Sequence, residues 1–82
     1  MNTKIIKAIS DETRLKLIKK IAEKEICACK LPNYVGVSQS AVSQHLKILL
    51  ISELVKIKKN GANHLYSLTK KGKKILKDIE KW

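Results

Sequence analysis

The chain has 82 residues, two cysteines, one proline and a formal net charge of +11. That length holds one domain near the lower limit for a single hydrophobic core, a size at which disulfides, a metal or a partner chain usually help. Two cysteines one residue apart exclude a loop-closing disulfide, no apolar run approaches the ~20 residues of a membrane span, and so basic a balance points to a polyanionic partner.

Among the remaining supports, self-association is the expected one. The polyanion is nucleic acid or an acidic membrane surface. The aromatic residues are Tyr34, Tyr66 and Trp82, too few for the stacking platforms that hold single strands. Lys4 and Lys7 interrupt any apolar stretch near the start, so no export signal is expected. Free thiols suit a reducing, cytoplasmic location.

In chain order, TKIIKAI (3–9) reads as a short helix with Ile5, Ile6 and Ile9 on one side. SDETRLKLIKKIAEK follows as an amphipathic helix. Ser10 is its expected N-cap, and Asp11 and Glu12 suit the positive end of the helix dipole. Leu15, Leu17, Ile18, Ile21 and Ala22 keep helical spacing, with Lys16, Lys19 and Lys20 outside. Pro32 belongs in a first helical turn, so a short helix starts at roughly residues 29 to 31. Cys27 and Cys29 then stand at or just before its N-terminus, and Gly36 stops it.

Ser38 caps the next helix, which runs to about Leu50. Val42, Leu46, Leu49 and Leu50 form its inner stripe, and Gln39, Ser40, Ser43, Gln44 and Lys47 are left outside. After Glu53 the period changes to two in LVKIKK and again in HLYSL, and Asn60-Gly61 between the runs signals a hairpin. Thr69 caps a last helix with Ile75, Leu76 and Ile79 on its apolar side. A short helix, a Gly-containing turn and a capped second helix make a helix-turn-helix, and the basic hairpin behind it makes a wing. The expected fold is mainly α with a β-hairpin wing: a homodimeric winged helix-turn-helix in the order α-α-α-α-β-β-α. It fills one domain, 1–82, with the helix-turn-helix at about 27–50, the wing at about 54–68 and dimerisation helices at about 3–9 and 69–82.

The outward face of the helix after Ser38 has a physical use. Gln pairs bidentately with adenine, and Ser donates to or accepts from any base edge. A helix-turn-helix presents the N-terminal residues of its second helix to the major groove. The candidate DNA contacts are therefore Ser38, Gln39, Ser40, Ser43, Gln44 and His45, with Lys47 on phosphate. His45 lies beside the buried stripe, where a core histidine bonded to backbone is the competing reading. In the wing, Lys56, Lys58 and Lys59 lead to a tip at Asn60 and Gly61 that can reach backbone or minor groove. A solvated edge strand guarded by lysines is the alternative there.

AISDETRLKLIKKI, CAC, VGVSQSAVSQHLKIL and the closing LYSL together resemble the ArsR–SmtB, or arsenic-repressor-type, family of winged-helix regulators. The resemblance covers roughly residues 5 to 70. It implies a cytosolic homodimer, joined through its first and last helices, that represses an operator until an inducer binds. Symmetry supports the dimer independently, since two reading helices about 34 Å apart, one DNA turn, need a two-fold partner. Ile5, Ile6, Ile9, Ile75, Ile79 and Trp82 are the candidate seam, unless they pack only within one subunit.

Cys27-Ala28-Cys29 falls where thiol-type sensors of this family carry Cys-x-Cys. Thiolates bind soft ions, and a helix N-terminus together with Lys24 and Lys30 lowers a thiol's pKa. The family's arsenite site resembles Cys-x-Cys-x-x-Cys, but Pro32 holds its third position here. The last helix has no histidine, so the His-and-carboxylate zinc site of other members is expected to be absent. No cofactor is needed for folding. The candidate inducers at Cys27 and Cys29 are As(III), Sb(III), Hg(II), Cu(I), Zn(II) or Cd(II), with thiol oxidation as a metal-free route. The alternative is a winged-helix DNA-binding regulator without metal sensing, its cysteines structural.

No enzyme is expected. There is no CxxC motif, catalytic histidine arrangement or carboxylate pair for a thiol reductase or metal chaperone. A sequence-blind DNA-coating protein would suit the lysines but not the Ser/Gln face. No membrane partner is expected.

Overall fold

The chain folds as α1 (Thr3–Ile9), α2 (Glu12–Glu23), a two-residue strand β1 (Ile26–Cys27), a 3-10 turn (Ala28–Lys30), α3 (Leu31–Val35), α4 (Gln39–Ile51), strands β2 (Val55–Asn60) and β3 (Asn63–Leu68), and α5 (Lys70–Glu80). This computed structural model describes residues 3–81, the Lys4 side chain excepted, so the seam candidate Trp82 lies outside the described residues. The architecture is the expected winged helix-turn-helix with one strand more.

Caps set most of the boundaries. The cap of α2 is Asp11 rather than Ser10: Asp11 Oδ2 accepts from the Arg14 backbone N–H at 3.0 Å. The Ser10 hydroxyl instead donates to the Lys7 carbonyl at 3.0 Å and serves the end of α1. Leu17, Ile18 and Ile21 are buried along α2, while Ala22, expected inside, is exposed. Pro32 sits in the first turn of α3, and Gly36 ends that helix with the left-handed backbone (φ +73) that its lack of a Cβ permits. Ser38 Oγ accepts from Ala41 N–H at 3.1 Å and starts α4.

The far end of α4 carries no glycine. Glu53 takes φ 61 after the helix, with Glu53 N–H donating to Leu50 O and Leu54 N–H to Leu49 O, both at 3.0 Å. This is a Schellman closure built on a non-glycine residue. It turns the chain straight into β2.

The sheet has the order β1-β3-β2 and is antiparallel throughout. Asn60 pairs with Asn63, so the two-residue turn is Gly61-Ala62, in the middle of the NGAN stretch between the two runs, with Gly61 at φ +64. β1 adds the pairs Ile26 to Tyr66 and Cys27 to Leu65. Thr69 caps α5 through Gly72 N–H at 2.9 Å and donates its hydroxyl to Glu53 O at 2.6 Å, tying α5 to the α4–β2 corner.

One core gathers Leu17, Ile18 and Ile21 of α2, Leu31, the Val42, Leu46 and Leu49 stripe of α4, Leu54 and Val55, Tyr66 and Leu68, and Ile75 and Leu76. Each such aliphatic side chain contributes about 1.5–3 kcal/mol when fully buried. Ile5, Ala8 and Ile9 of α1 join the same cluster. Of the expected dimer seam, Ile5, Ile9 and Ile75 are buried within their own subunit. Ile6 is 50% exposed and Ile79 half-buried, which leaves these two described seam candidates with surface to offer. Among the described residues, no helix is long and apolar enough to cross a membrane.

Candidate nucleic-acid interface and thiol site

α4 separates its faces cleanly. Val42, Leu46 and Leu49 are buried, and Gln39, Ser40, Ser43, Gln44 and Lys47 are all exposed. Its sequence, QSAVSQHLKILLI, contains no acidic residue. The exposed N-terminal two turns therefore offer amides, hydroxyls and one cation to a polyanion, with no repelling carboxylate on the helix. Ser38 is exposed too, but its hydroxyl is committed to capping. Further along, Ile48 (39% exposed) and Ile51 (56%) leave an apolar flank beside Lys7 and Arg14.

His45 does not share that outward face. Its side chain is 22% exposed, and Nδ1 lies 3.1 Å from Arg14 Nη1 and 3.9 Å from Asp11 Oδ2. His45 is thus half-buried rather than a core residue, and its partner is a side chain of α2 rather than backbone. Asp11 is itself held below the ordinary carboxylate range, first by the Arg14 backbone N–H and then by the Arg14 charge.

The wing presents Lys56, Lys58, Lys59 and Asn60 to solvent, and only Val55 of β2 is buried. Ile57, which alternation turns inward, is still 40% exposed on the edge strand β2. Register aligns Lys58 with Leu65 and Leu65 with Cys27, so a single row of the sheet joins a wing lysine to the first thiol.

Cys27 is half-buried in β1, Cys29 is exposed in the following 3-10 turn, and both are free thiols. Cys27 Sγ accepts from the Cys29 backbone N–H at 3.4 Å. Hydrogen bonding from the Cys29 thiol, then from that N–H, with the Lys30 charge behind them, lowers Cys27 below the usual cysteine range. The same thiol pairing pushes Cys29 up. The pair opens onto a cleft of about 740 Å³ whose lining includes Lys20, Lys24, Lys30 and Tyr34. Lys20 Nζ stands 4.7 Å from the centre of the Tyr34 ring. This is a cation-lined thiol pair one short helix away from α4.

Its donor set discriminates among metals. Among the described residues no group of three or more His, Cys, Asp or Glu side chains converges on one point. Two thiolates fit a two-coordinate soft ion such as Cu(I) or Hg(II), or a trigonal metalloid that brings a third ligand from solution. They do not complete the tetrahedron that Zn(II) takes in structural sites. His64, on the exposed part of the wing, is not brought to the thiols.

Sequence reasoning gave no individual role to Arg14, Lys20 or Tyr34. Arg14 stands in the SDETR stretch that carried the family resemblance, and that was the available signal. Lys20 and Tyr34 meet the thiols only through tertiary folding.

Residues 11–56 match the model of a family described as bacterial regulatory protein, arsR family. The chain is 41% identical over 64 residues to an arsenical resistance operon repressor of Staphylococcus xylosus, which covers 78% of this chain and 62% of that protein. It is 44% identical over 61 residues to a transcriptional repressor, an SmtB homolog, of Synechocystis, covering 74% of this chain and 46% of that one. Its fold superposes on the crystal structure of NolR from Sinorhizobium fredii with a TM-score of 0.86 at 30% identity, over 95% of this chain and 79% of the other. The chain thus spans between about half and three fifths of the length of these two curated relatives.

Proposed function

We propose a function from the premise that this chain belongs to the arsR family of bacterial regulatory proteins. It is a regulator and not an enzyme. It acts as a cytoplasmic homodimer that binds double-stranded operator DNA sequence-specifically and represses the genes behind it. The observation that carries this reading is the face of α4: five exposed Gln, Ser and Lys side chains, no carboxylate, on the second helix of a helix-turn-helix. Gln39, Ser40, Ser43 and Gln44 read base edges in the major groove. Lys47 and the wing residues Lys58, Lys59 and Asn60 hold phosphate, a term that depends on salt and not on sequence. The net charge of +11, doubled in a dimer, steers the protein to the duplex.

The thiol pair is the inducer site. A lowered Cys27 thiol beside a second thiol, in a cleft lined by lysines, supports capture of a thiophilic ion or metalloid, or oxidation. As(III), Sb(III), Hg(II) and Cu(I) suit two protein thiolates better than Zn(II) or Cd(II). Ligation acts on the turn that leads into α3, and α3 packs on α4 through the core residue Leu31.

Competition binding tests the first part. A duplex selected by the protein from a random pool should be preferred over random duplex by ~10³ or more at matched salt. A ratio near unity would refute readout by α4. For the second part, the six ions and an oxidant are titrated against the selected complex with wild type and with the double variant Cys27→Ser, Cys29→Ser. Release by at least one ligand in the wild type alone supports the sensor. Identical behaviour leaves a regulator whose cysteines are structural.

A further inference from the structure

Three helices meet at one guanidinium. Arg14 Nε donates to the Ala8 carbonyl at 2.8 Å, and Nη2 donates to the Lys7 carbonyl at 3.0 Å. These are carbonyls of the last turn of α1, which have no partner within their own helix. The backbone N–H of the same residue donates to Asp11 Oδ2 at 3.0 Å and starts α2. The remaining arm, Nη1, reaches His45 Nδ1 of α4 at 3.1 Å. Arginine stays charged and has no acceptor, so Nη1 is the donor and Nδ1 the acceptor. The imidazole carries its hydrogen on Nε2 whenever this bond is made and the ring is neutral.

The consequence lies in what else holds α4. Val42, Leu46 and Leu49 pack it into the core, and apolar packing is non-directional: it fixes how deep a helix sits better than how it is rotated. A hydrogen bond weakens steeply when its angle is lost. Among the described residues, no other side-chain hydrogen bond ties α4 to another helix; Ser38 and Ser52 both bond within their own segment. His45 follows Gln44 directly and lies one turn beyond Ala41, so holding its ring holds the neighbouring outward face.

We propose that Arg14 is a positioning residue for DNA readout, a three-way clamp that sets the rotation of α4 against the end of α1 and the start of α2. This rests on α4 being the reading helix. Arg14 is not itself a DNA contact, because three of its N–H groups are engaged inside the subunit.

The test compares wild type, Arg14→Lys, His45→Phe and the double variant on two duplexes, one selected by wild type from a random pool and one of random sequence. It is run at several salt concentrations, with melting temperatures alongside. Lysine keeps the charge but cannot span three acceptors as the planar fork does. Arg14→Lys should therefore leave random-duplex affinity and the salt slope unchanged while the preference for the selected duplex falls about tenfold. In the His45→Phe background the same change should cost little more, because the bond is already gone. If Arg14→Lys melts below the assay temperature, His45→Phe against wild type carries the test, since it leaves the α1 cap intact.

Equal losses on both duplexes with a salt slope reduced by about one would make Arg14 a phosphate contact and overturn the proposal. So would a lowered melting temperature with unchanged preference, which marks a purely structural role. A wild type that discriminates, with variants that discriminate equally, defeats the clamp alone. A wild type that does not discriminate defeats the reading of α4 and the clamp with it.

Discussion

Replacing Gly72 by alanine should destabilise the protein, against the usual direction for a helix. In an ordinary exposed helix the change gains about 1 kcal/mol, since glycine is the poorer helix former. Gly72 lies in the first turn of α5 with its Cα against the chain at Leu54. A Cβ added there runs into the Leu54 carbonyl oxygen, with the carbonyl carbon at 3.1 Å and Cα at 3.4 Å. The obstacle is backbone, not a movable side chain, so α5 has to withdraw. Two bonds hold it where it is: Thr69 N–H to Leu54 O at 3.2 Å and Thr69 Oγ1 to Glu53 O at 2.6 Å. Losing both costs about 2 kcal/mol, and lifting Ile75 and Leu76 off the core adds about 1–2 kcal/mol of poorer packing. Set against the helix gain, the net loss is about 2–3 kcal/mol. For a domain of this size that is about 10–20 °C in Tm. Thermal and urea unfolding followed by circular dichroism reads it, at one protein concentration because association adds to apparent stability. Lys74→Ala, on the exposed side of α5, is the control. A Gly72→Ala protein as stable as wild type would mean that α5 does not seat on Leu54.

Three further expectations follow from the geometry. Asp11→Ala should cost about 1 kcal/mol through the lost cap of α2, and Asp11→Asn much less at neutral pH, measured by urea midpoints. Because the folded carboxyl titrates below its unfolded value, near 3.9 for a free Asp, its contribution is complete above that pH and is lost as pH falls through the folded value; Asp11→Asn should therefore have a shallower acid limb than wild type, and superimposable limbs contradict the argument. Leu31→Ala, at a fully buried position between the thiol turn and α4, should cost about 2–5 kcal/mol, and a loss under about 1 kcal/mol would show that α3 is not packed as described. The pair Lys58→Ala, Lys59→Ala should weaken selected and random duplexes alike and reduce the salt slope by about one for each phosphate left without its lysine, whereas an unchanged slope takes the wing off the DNA.

Most of the helix-turn-helix was legible because its signals are local. Pro32, Gly36 and Ser38 punctuate the turn by their own backbone chemistry, and the stripe of α4 repeats at helical spacing. The unread features each depend on a distant partner. β1 is two residues long and has no pattern of its own; it exists because β3 offers an edge. Ser10 and Asp11 are both good caps, and the choice between them is made by the end of α1, which takes the serine hydroxyl. Glu53 occupies a left-handed site where glycine is the usual signal, so the close of α4 gave no warning. A stripe of isoleucines shows that burial occurs but not against which chain, and Ile5, Ile9 and Ile75 proved to face their own core. His45 sits on the border of two faces of α4, and Arg14, 31 residues earlier in sequence, decides its side.

If Cys27 and Cys29 hold the inducer, as proposed above, so small a domain would switch without a large movement. Release of a repressor needs only a modest free-energy change, since a tenfold loss of operator affinity is about 1.4 kcal/mol. That is about the worth of one or two hydrogen bonds in a protein. Cys27 belongs to β1, which holds to β3 by just two residue pairs and is therefore among the easiest pieces of the sheet to loosen. Cys29 stands two residues before Leu31, which is fully buried beneath α4. On that proposal, a ligand drawing the two sulfurs together would pull on the root of the wing through the Cys27, Leu65, Lys58 row and on α4 through α3. Each route spans a single packed layer. Disturbance of either by one hydrogen bond's worth is enough on this scale, and the fold supplies both from one turn of chain.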